Sequence, residues 1–140
     1  ILLHCDVVYI AKGARLKVPF VSLGVVPEAA SSYLLPLRVG VQAAAEILYT
    51  ADWVSSERAV QIGLAARELR PEQLLPELRA LAARMAQHPL GSLRHTKRLV
   101  RAADVDAIRA ARAREDQAFR ERIGTPENLE AIRSFFAKRR

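Results

Sequence analysis

The chain has 140 residues, 51% of them hydrophobic and 26% charged, with a formal net charge of +7. That is enough apolar material for one buried core and too much for a disordered chain, and no apolar run reaches the ~18 residues a membrane span needs. A single cysteine, Cys5, excludes an internal disulfide framework and fits a reducing, cytoplasmic setting. The positive balance suits an anionic partner, either a nucleic acid or a phosphate-bearing cofactor.

The opening Ile1-Leu2-Leu3 has neither an initiator Met nor a basic leader and runs straight into a strand-like pattern, which reads as a start inside a larger domain. Val7-Val8-Tyr9-Ile10 predicts a strand and Lys12-Gly13 a turn. Ala14 to Val18 predicts a second short strand, ended by Pro19, and strands this short and apolar predict a place inside a mixed or parallel sheet. Leu23-Gly24-Val25-Val26-Pro27 reads as a loop.

From there the pattern is mostly helical. A short helix is expected over residues 28–35, stopping before Pro36, and a longer one over 41–50 with Ala44, Ile47, Leu48 and Ala51 at helical spacing. Ser55 is a good N-cap for a helix through Ile62 that Gly63 ends, and residues 64–69 read as a last strand. Leu74, Leu78, Leu81 and Met85 mark one face of an amphipathic helix whose start Pro76 blurs. Pro89 opens the next helix. Val105, Ile108, Ala111 and Phe119 line a long Arg-rich helix that Gly124 ends, and Thr125-Pro126-Glu127 starts the last one. The expected organisation is a sheet-containing core over 1–70 followed by a helical region over 71–140.

Glu28 carries the most chemistry. It follows a Pro, sits among small apolar residues, and is expected in the first turn of a short helix with no ready cationic partner in sequence. A dry pocket would raise its pKa and suit it as a base that returns its proton. Locally it also has the ordinary reading of an acid favoured at a helix N-terminus. His4, His88 and His95 are too scattered for a metal site, and no metal is expected.

The order His4-Cys5-Asp6-Val7-Val8-Tyr9, Ala14-Arg15-Leu16, Leu23-Gly24-Val25-Val26-Pro27, Leu35-Pro36, Val39-Gly40, Ala44-Ala45-Glu46-Ile47-Leu48, Ser55-Ser56-Glu57-Arg58-Ala59 and Ile62-Gly63-Leu64 resembles the second half of a crotonase-fold enzyme. The resemblance implies an α/β fold: the C-terminal portion of a ββα spiral, followed by a helical oligomerisation region. Hydratases of that superfamily carry an acid directly after a Pro, where this chain has Pro19-Phe20, and a Gly where it has Glu28. The pattern Pro19-Phe20, Leu23-Gly24, Pro27-Glu28, Ser31-Ser32-Tyr33 is similar to the Δ3,Δ2-enoyl-CoA isomerase branch, which implies Glu28 as the proton shuttle.

The resemblance further implies Phe20, Ser31 and Ser32 near the substrate, and Phe135 and Lys138 as contacts to the adenine and phosphates of coenzyme A. Ser31 and Ser32 read equally as partners for backbone groups at a helix start, Phe135 as core packing, and Lys138 as a solvated tail charge. The implied substrate is an acyl-CoA, with coenzyme A part of the substrate and no separate cofactor. The implied assembly is a homotrimer or hexamer built by the C-terminal helices, and the enolate-binding donors are implied to lie upstream of Ile1. A hydratase, another crotonase reaction and an inactive module are the alternatives. Nucleic-acid binding by the basic stretches 93–101 and 108–122 is disfavoured, because the aromatics are few and not interleaved with the basic residues.

Overall fold

The structure, a computed structural model, describes residues 1–137. After a 3-10 turn at Leu2–His4, strand β1 (Tyr9–Ala11) pairs in parallel with β4 (Arg67–Leu69), Ile10 lying opposite Glu68. Strand β2 (Arg15–Lys17) pairs antiparallel with β3 (Trp53–Ser55), Leu16 opposite Val54. A parallel pair needs a crossover, and the chain between β1 and β4 supplies it: the β2–β3 ribbon, a 3-10 turn at Val21–Leu23, and helices α1 (Ser31–Val39), α2 (Val41–Thr50) and α3 (Ser56–Gln61). Val8, Ile10, Leu35, Ile47, Leu48 and Val54 are buried together as the main core.

The strongest local signals are realised where they were expected. Helix α2 buries Ala44, Ile47 and Leu48, with Ala51 buried just beyond it, and the Ser55 hydroxyl caps α3 by accepting from the Arg58 N–H at 3.1 Å. Two elements differ. Helix α1 begins at Ser31, so Glu28 precedes it, and it runs through Pro36 instead of stopping there. An interior Pro costs ~3 kcal/mol, whereas burying Leu34 and Leu35, 4% and 2% exposed, returns about 1.5–3 kcal/mol each; burial wins. Strand β3 has no counterpart in the sequence reading. Three residues carry too little alternation to register, and cross-strand partners hold them, with the Arg15 Cζ and Lys17 Nζ atoms 4.8 and 5.3 Å from the centre of the Trp53 ring.

Four helices follow: α4 (Pro71–Ala86), α5 (Leu90–Ala102), α6 (Val105–Arg122) and α7 (Pro126–Ala137). Helix α4 starts with Pro71 in its first turn, a position that needs no N–H, and packs on β1. Helix α5 has no buried residue and is tied down by Lys97 and Arg101, which bridge Asp6 at 2.5 and 3.3 Å. Helix α6 packs on α1, and α7 packs on the Val21–Leu23 turn. Among the described residues no helix is long and apolar enough to cross a membrane.

Candidate active site

A cavity of about 250 Å³ lies where the Leu2–His4 turn, the end of β2 and the loop before α1 meet. Phe20, Glu28 and Ser31 line it, over a floor that includes Leu35 and Leu64. Glu28 is the only carboxylate among the described residues on its lining; Lys17 and His4 are the other titratable side chains there. Phe20 is half-buried, packs against the main core and presents an apolar wall to the cavity. Glu28 itself is exposed. The drying expected of its surroundings is therefore not supplied by the described residues.

Glu28 opens a tight turn and does not sit in a helix. Ser31 donates its N–H to the Glu28 carbonyl at 3.0 Å and its hydroxyl to the same oxygen at 2.6 Å. The two residues between, Ala29 and Ala30, have φ of 57° and 59°. That is left-handed backbone, which costs an L-residue roughly 1–2 kcal/mol and which Gly or Asn would normally supply. The His4 Nε2–H donates to the Ala29 carbonyl at 2.8 Å, since a carbonyl can only accept. Ser31 is thus buried against the backbone of Glu28, and its hydroxyl bonds the main chain and not the carboxylate.

The C-terminal helices hold this loop from behind. Ala111 of α6 and Ala30 are both 0% exposed and pack together with Leu34. Small side chains there let the helix approach closely, and Glu115, one turn further along the same face, reaches the start of α1. Its Oε2 accepts from the Ala30 N–H at 2.6 Å and its Oε1 from the Ser32 N–H at 2.8 Å. Helix α1 has no side-chain cap of its own, so Glu115 satisfies two N–H groups at its start and places negative charge at the positive end of the helix dipole.

Helix α7 does the same for the loop that carries Phe20. Asn128, 3% exposed, donates from Nδ2 to the Leu23 carbonyl at 2.6 Å and accepts from the Gly124 N–H at 2.9 Å. A Cβ at Gly24 would stand 2.8 Å from the Asn128 Cα, so the glycine is needed for this approach as well as for its φ of +68°.

The structure thus brings together Phe20, Glu28 and Ser31. Ser32 is exposed and contributes its N–H to Glu115. Phe135, near the end of α7, stacks edge-on with Phe136 at 5.6 Å and is not on the cavity lining; Lys138 lies outside the described residues. Glu115, Asn128 and His4 were missed by sequence reasoning. For Glu115 a signal existed: it falls on the stripe Ile108, Ala111, Phe119, where an apolar residue was due. Among the described residues no cluster of His, Cys, Asp and Glu could hold a metal ion.

The family described as enoyl-CoA hydratase/isomerase matches residues 1–140. The chain is 32% identical over 136 residues to a crotonyl-CoA hydratase of Syntrophomonas wolfei, covering 97% of this chain and 52% of that protein. It is 30% identical to the 2,3-dehydroadipyl-CoA hydratase of Escherichia coli, covering 98% and 54%. Among solved structures, an enoyl-CoA hydratase/isomerase from Pseudoalteromonas atlantica superposes with a TM-score of 0.94 at 36% identity, over 98% of this chain and 55% of that one. OdaA of Pseudomonas aeruginosa superposes with a TM-score of 0.91 at 38% identity, over 96% and 55%. The chain spans about half the length of the curated relatives it matches.

Proposed function

Because the chain belongs to the enoyl-CoA hydratase/isomerase family, we propose that it forms part of an acyl-CoA double-bond isomerase, converting 3-enoyl-CoA to 2-enoyl-CoA with Glu28 as the single base. The observation that carries this reading is the lining of the cavity: among the described residues, one carboxylate, Glu28, faces a space walled by Phe20.

The C2 protons of a 3-enoyl thioester are acidified by both the carbonyl and the double bond. Glu28 removes one of them, the electron pair spreads into a dienolate, and the resulting carboxyl returns a proton to C4. One carboxylate that reaches both carbons is enough, and no second acid is required. Phe20 keeps an activated water away from the conjugated product. The enolate oxygen needs preorganised N–H donors, which the family resemblance assigns to the chain preceding Ile1 in the complete protein. The substrate is accordingly an acyl-CoA of fatty-acid or related metabolism, no separate cofactor takes part, and the complete protein works in the cytoplasm as a trimer or hexamer.

The second reading is hydration, because the curated relatives of S. wolfei and E. coli are named hydratases. It requires a second acid from outside this chain, since Phe20 stands where the resemblance puts one. The test is to assay the complete protein with 3-enoyl-CoA and 2-enoyl-CoA, as wild type and as Glu28→Gln. Isomerisation that falls at least ~100-fold in the variant supports the proposal. Full isomerisation in Glu28→Gln, or a wild type that only adds water to 2-enoyl-CoA, sinks it.

A further inference from the structure

We propose that Glu115 is the positioning residue for the base: its two carboxylate oxygens, reaching from α6, hold the Ala30 and Ser32 N–H groups and so fix the turn that aims Glu28 into the cavity. The proposal rests on the reading of Glu28 as base given above.

A carboxylate that is 5% exposed is costly to bury and persists only where its oxygens are matched. No cation among the described residues bridges Glu115; both oxygens are spent on backbone N–H groups, 83 and 85 residues away in sequence. Those two groups flank Ser31, whose own N–H and hydroxyl bind the Glu28 carbonyl. A rigid chain of contacts therefore runs from α6 through Ala30, Ser31 and Ser32 to the backbone of Glu28. The turn it holds contains two left-handed alanines and has no sequence preference of its own for that shape. An ordinary helix cap would need one acceptor at the helix start. Here two acceptors grip both sides of the residue that fixes Glu28, which a carboxylate can do and an amide, with one oxygen and one NH₂, cannot.

The experiment uses the complete protein as its gene encodes it, with Glu115→Gln, Glu115→Asp and Tyr33→Phe. Tyr33→Phe removes a hydroxyl bond to Asp104 across the same α1–α6 seam and serves as the control for simple loosening. Kinetics on a C2-deuterated 3-enoyl-CoA give kcat, KM and the fraction of label delivered to C4. Glu115→Gln is expected to lower kcat about 10- to 100-fold, the scale of a misplacement of about 1 Å. KM should stay within about threefold, and the C2-to-C4 transfer fraction should fall as the loosened carboxyl exchanges with water. Tyr33→Phe should keep kcat within about twofold and the transfer fraction unchanged.

Wild-type kcat and transfer in Glu115→Gln overturn the proposal, as does a loss in Tyr33→Phe that matches it. If Glu115→Gln does not fold, Glu115→Asp and amide exchange in the wild type replace it. Slow exchange at Ala30 and Ser32 with lowered kcat in Glu115→Asp supports the clamp, and fast exchange at those two amides refutes it. A wild type that performs no isomerisation overturns the reading of Glu28, and this role with it. An active wild type, a silent Glu28→Gln and an unaffected Glu115→Gln remove the positioning role alone.

Discussion

Replacing Gly24 by Ala isolates how tightly the last helix is seated on the loop that carries Phe20. Two penalties add at this position. The backbone has a φ of +68°, and a left-handed L-residue costs roughly 1–2 kcal/mol. The new Cβ would also stand 2.8 Å from the Asn128 Cα and 3.0 Å from its N, backbone atoms of α7 that can yield only if the helix moves; overpacking of this kind costs typically about 1–3 kcal/mol. Less the ~0.4–1 kcal/mol of unfolded-chain entropy that Ala removes, the expected destabilisation is about 1–4.5 kcal/mol. Gly13→Ala is the internal control, because Gly13 has a similar φ of +80° with nothing within 4 Å of its added Cβ. It should cost only about 1 kcal/mol, the left-handed penalty less the entropy that Ala removes from the unfolded chain. Urea unfolding of both variants in one background reads the difference directly. Equal losses would mean that α7 does not lie against Gly24, and the account of how Phe20 is placed would fail.

Ala29 is exposed and left-handed, so Ala29→Gly should stabilise by a few tenths to about 1 kcal/mol in the same assay, strain relief exceeding the entropy term; a loss of stability would show that the turn is not strained there. Asp6 is held below the ordinary carboxylate range, chiefly by the Lys97 hydrogen bond, which desolvation opposes, and further by the charges of Lys97 and Arg101. A lowered folded pKa gives stability that is present above the unfolded pKa of about 4 and lost as pH falls through the folded value. Asp6→Asn should therefore cost under ~1 kcal/mol at pH 7 and flatten the loss below about pH 4, whereas an unchanged acid limb would deny the bridge. The accessible surface is 9785 Å² for 15.5 kDa, about a third above the ~7,200 Å² of a compact monomer, with Leu90, Leu99 and Val100 at least 67% exposed. The 140-residue chain on its own should therefore self-associate in light scattering, and a stable monomer would count against that.

What the sequence made legible was whatever is decided within one or two turns of chain. The buried face of α2 follows from Ala44, Ile47 and Leu48 at helical spacing, and the start of α3 from the Ser55 hydroxyl. The ordered segments from His4-Cys5-Asp6 to Ile62-Gly63-Leu64 placed the chain in its superfamily. The conformation of Glu28 was not legible. An Ala-Ala pair carries no mark of left-handed backbone, and the contacts that impose it come from His4 and Glu115, far away in sequence. The stop expected at Pro36 failed for a related reason: the rule concerns one backbone bond, while the outcome was decided by the burial of Leu34 and Leu35.

The magnitudes around Glu28 explain why a helical region beyond the sheet belongs to the site. Two left-handed alanines cost roughly 2–4 kcal/mol together, more than the local Ser31 bonds to the Glu28 carbonyl return at about 1 kcal/mol each. Left to itself, the segment from Pro27 to Ser32 would relax, and α1 would start with unpaired N–H groups. The two bonds to Glu115 are to a charged acceptor, worth about 1.5–3 kcal/mol each, and they change the sign of that balance. They exist only because Ala30 and Ala111 are small enough to bring α6 into contact. On the other loop the Gly24–Asn128 contact depends in the same way on a missing side chain. The position of Glu28 is therefore set in part by residues off the cavity lining, Glu115 and Ala111 among them, and sequence variation at Ala30, Ala111 or Gly24 would move Glu28 or Phe20 without altering either.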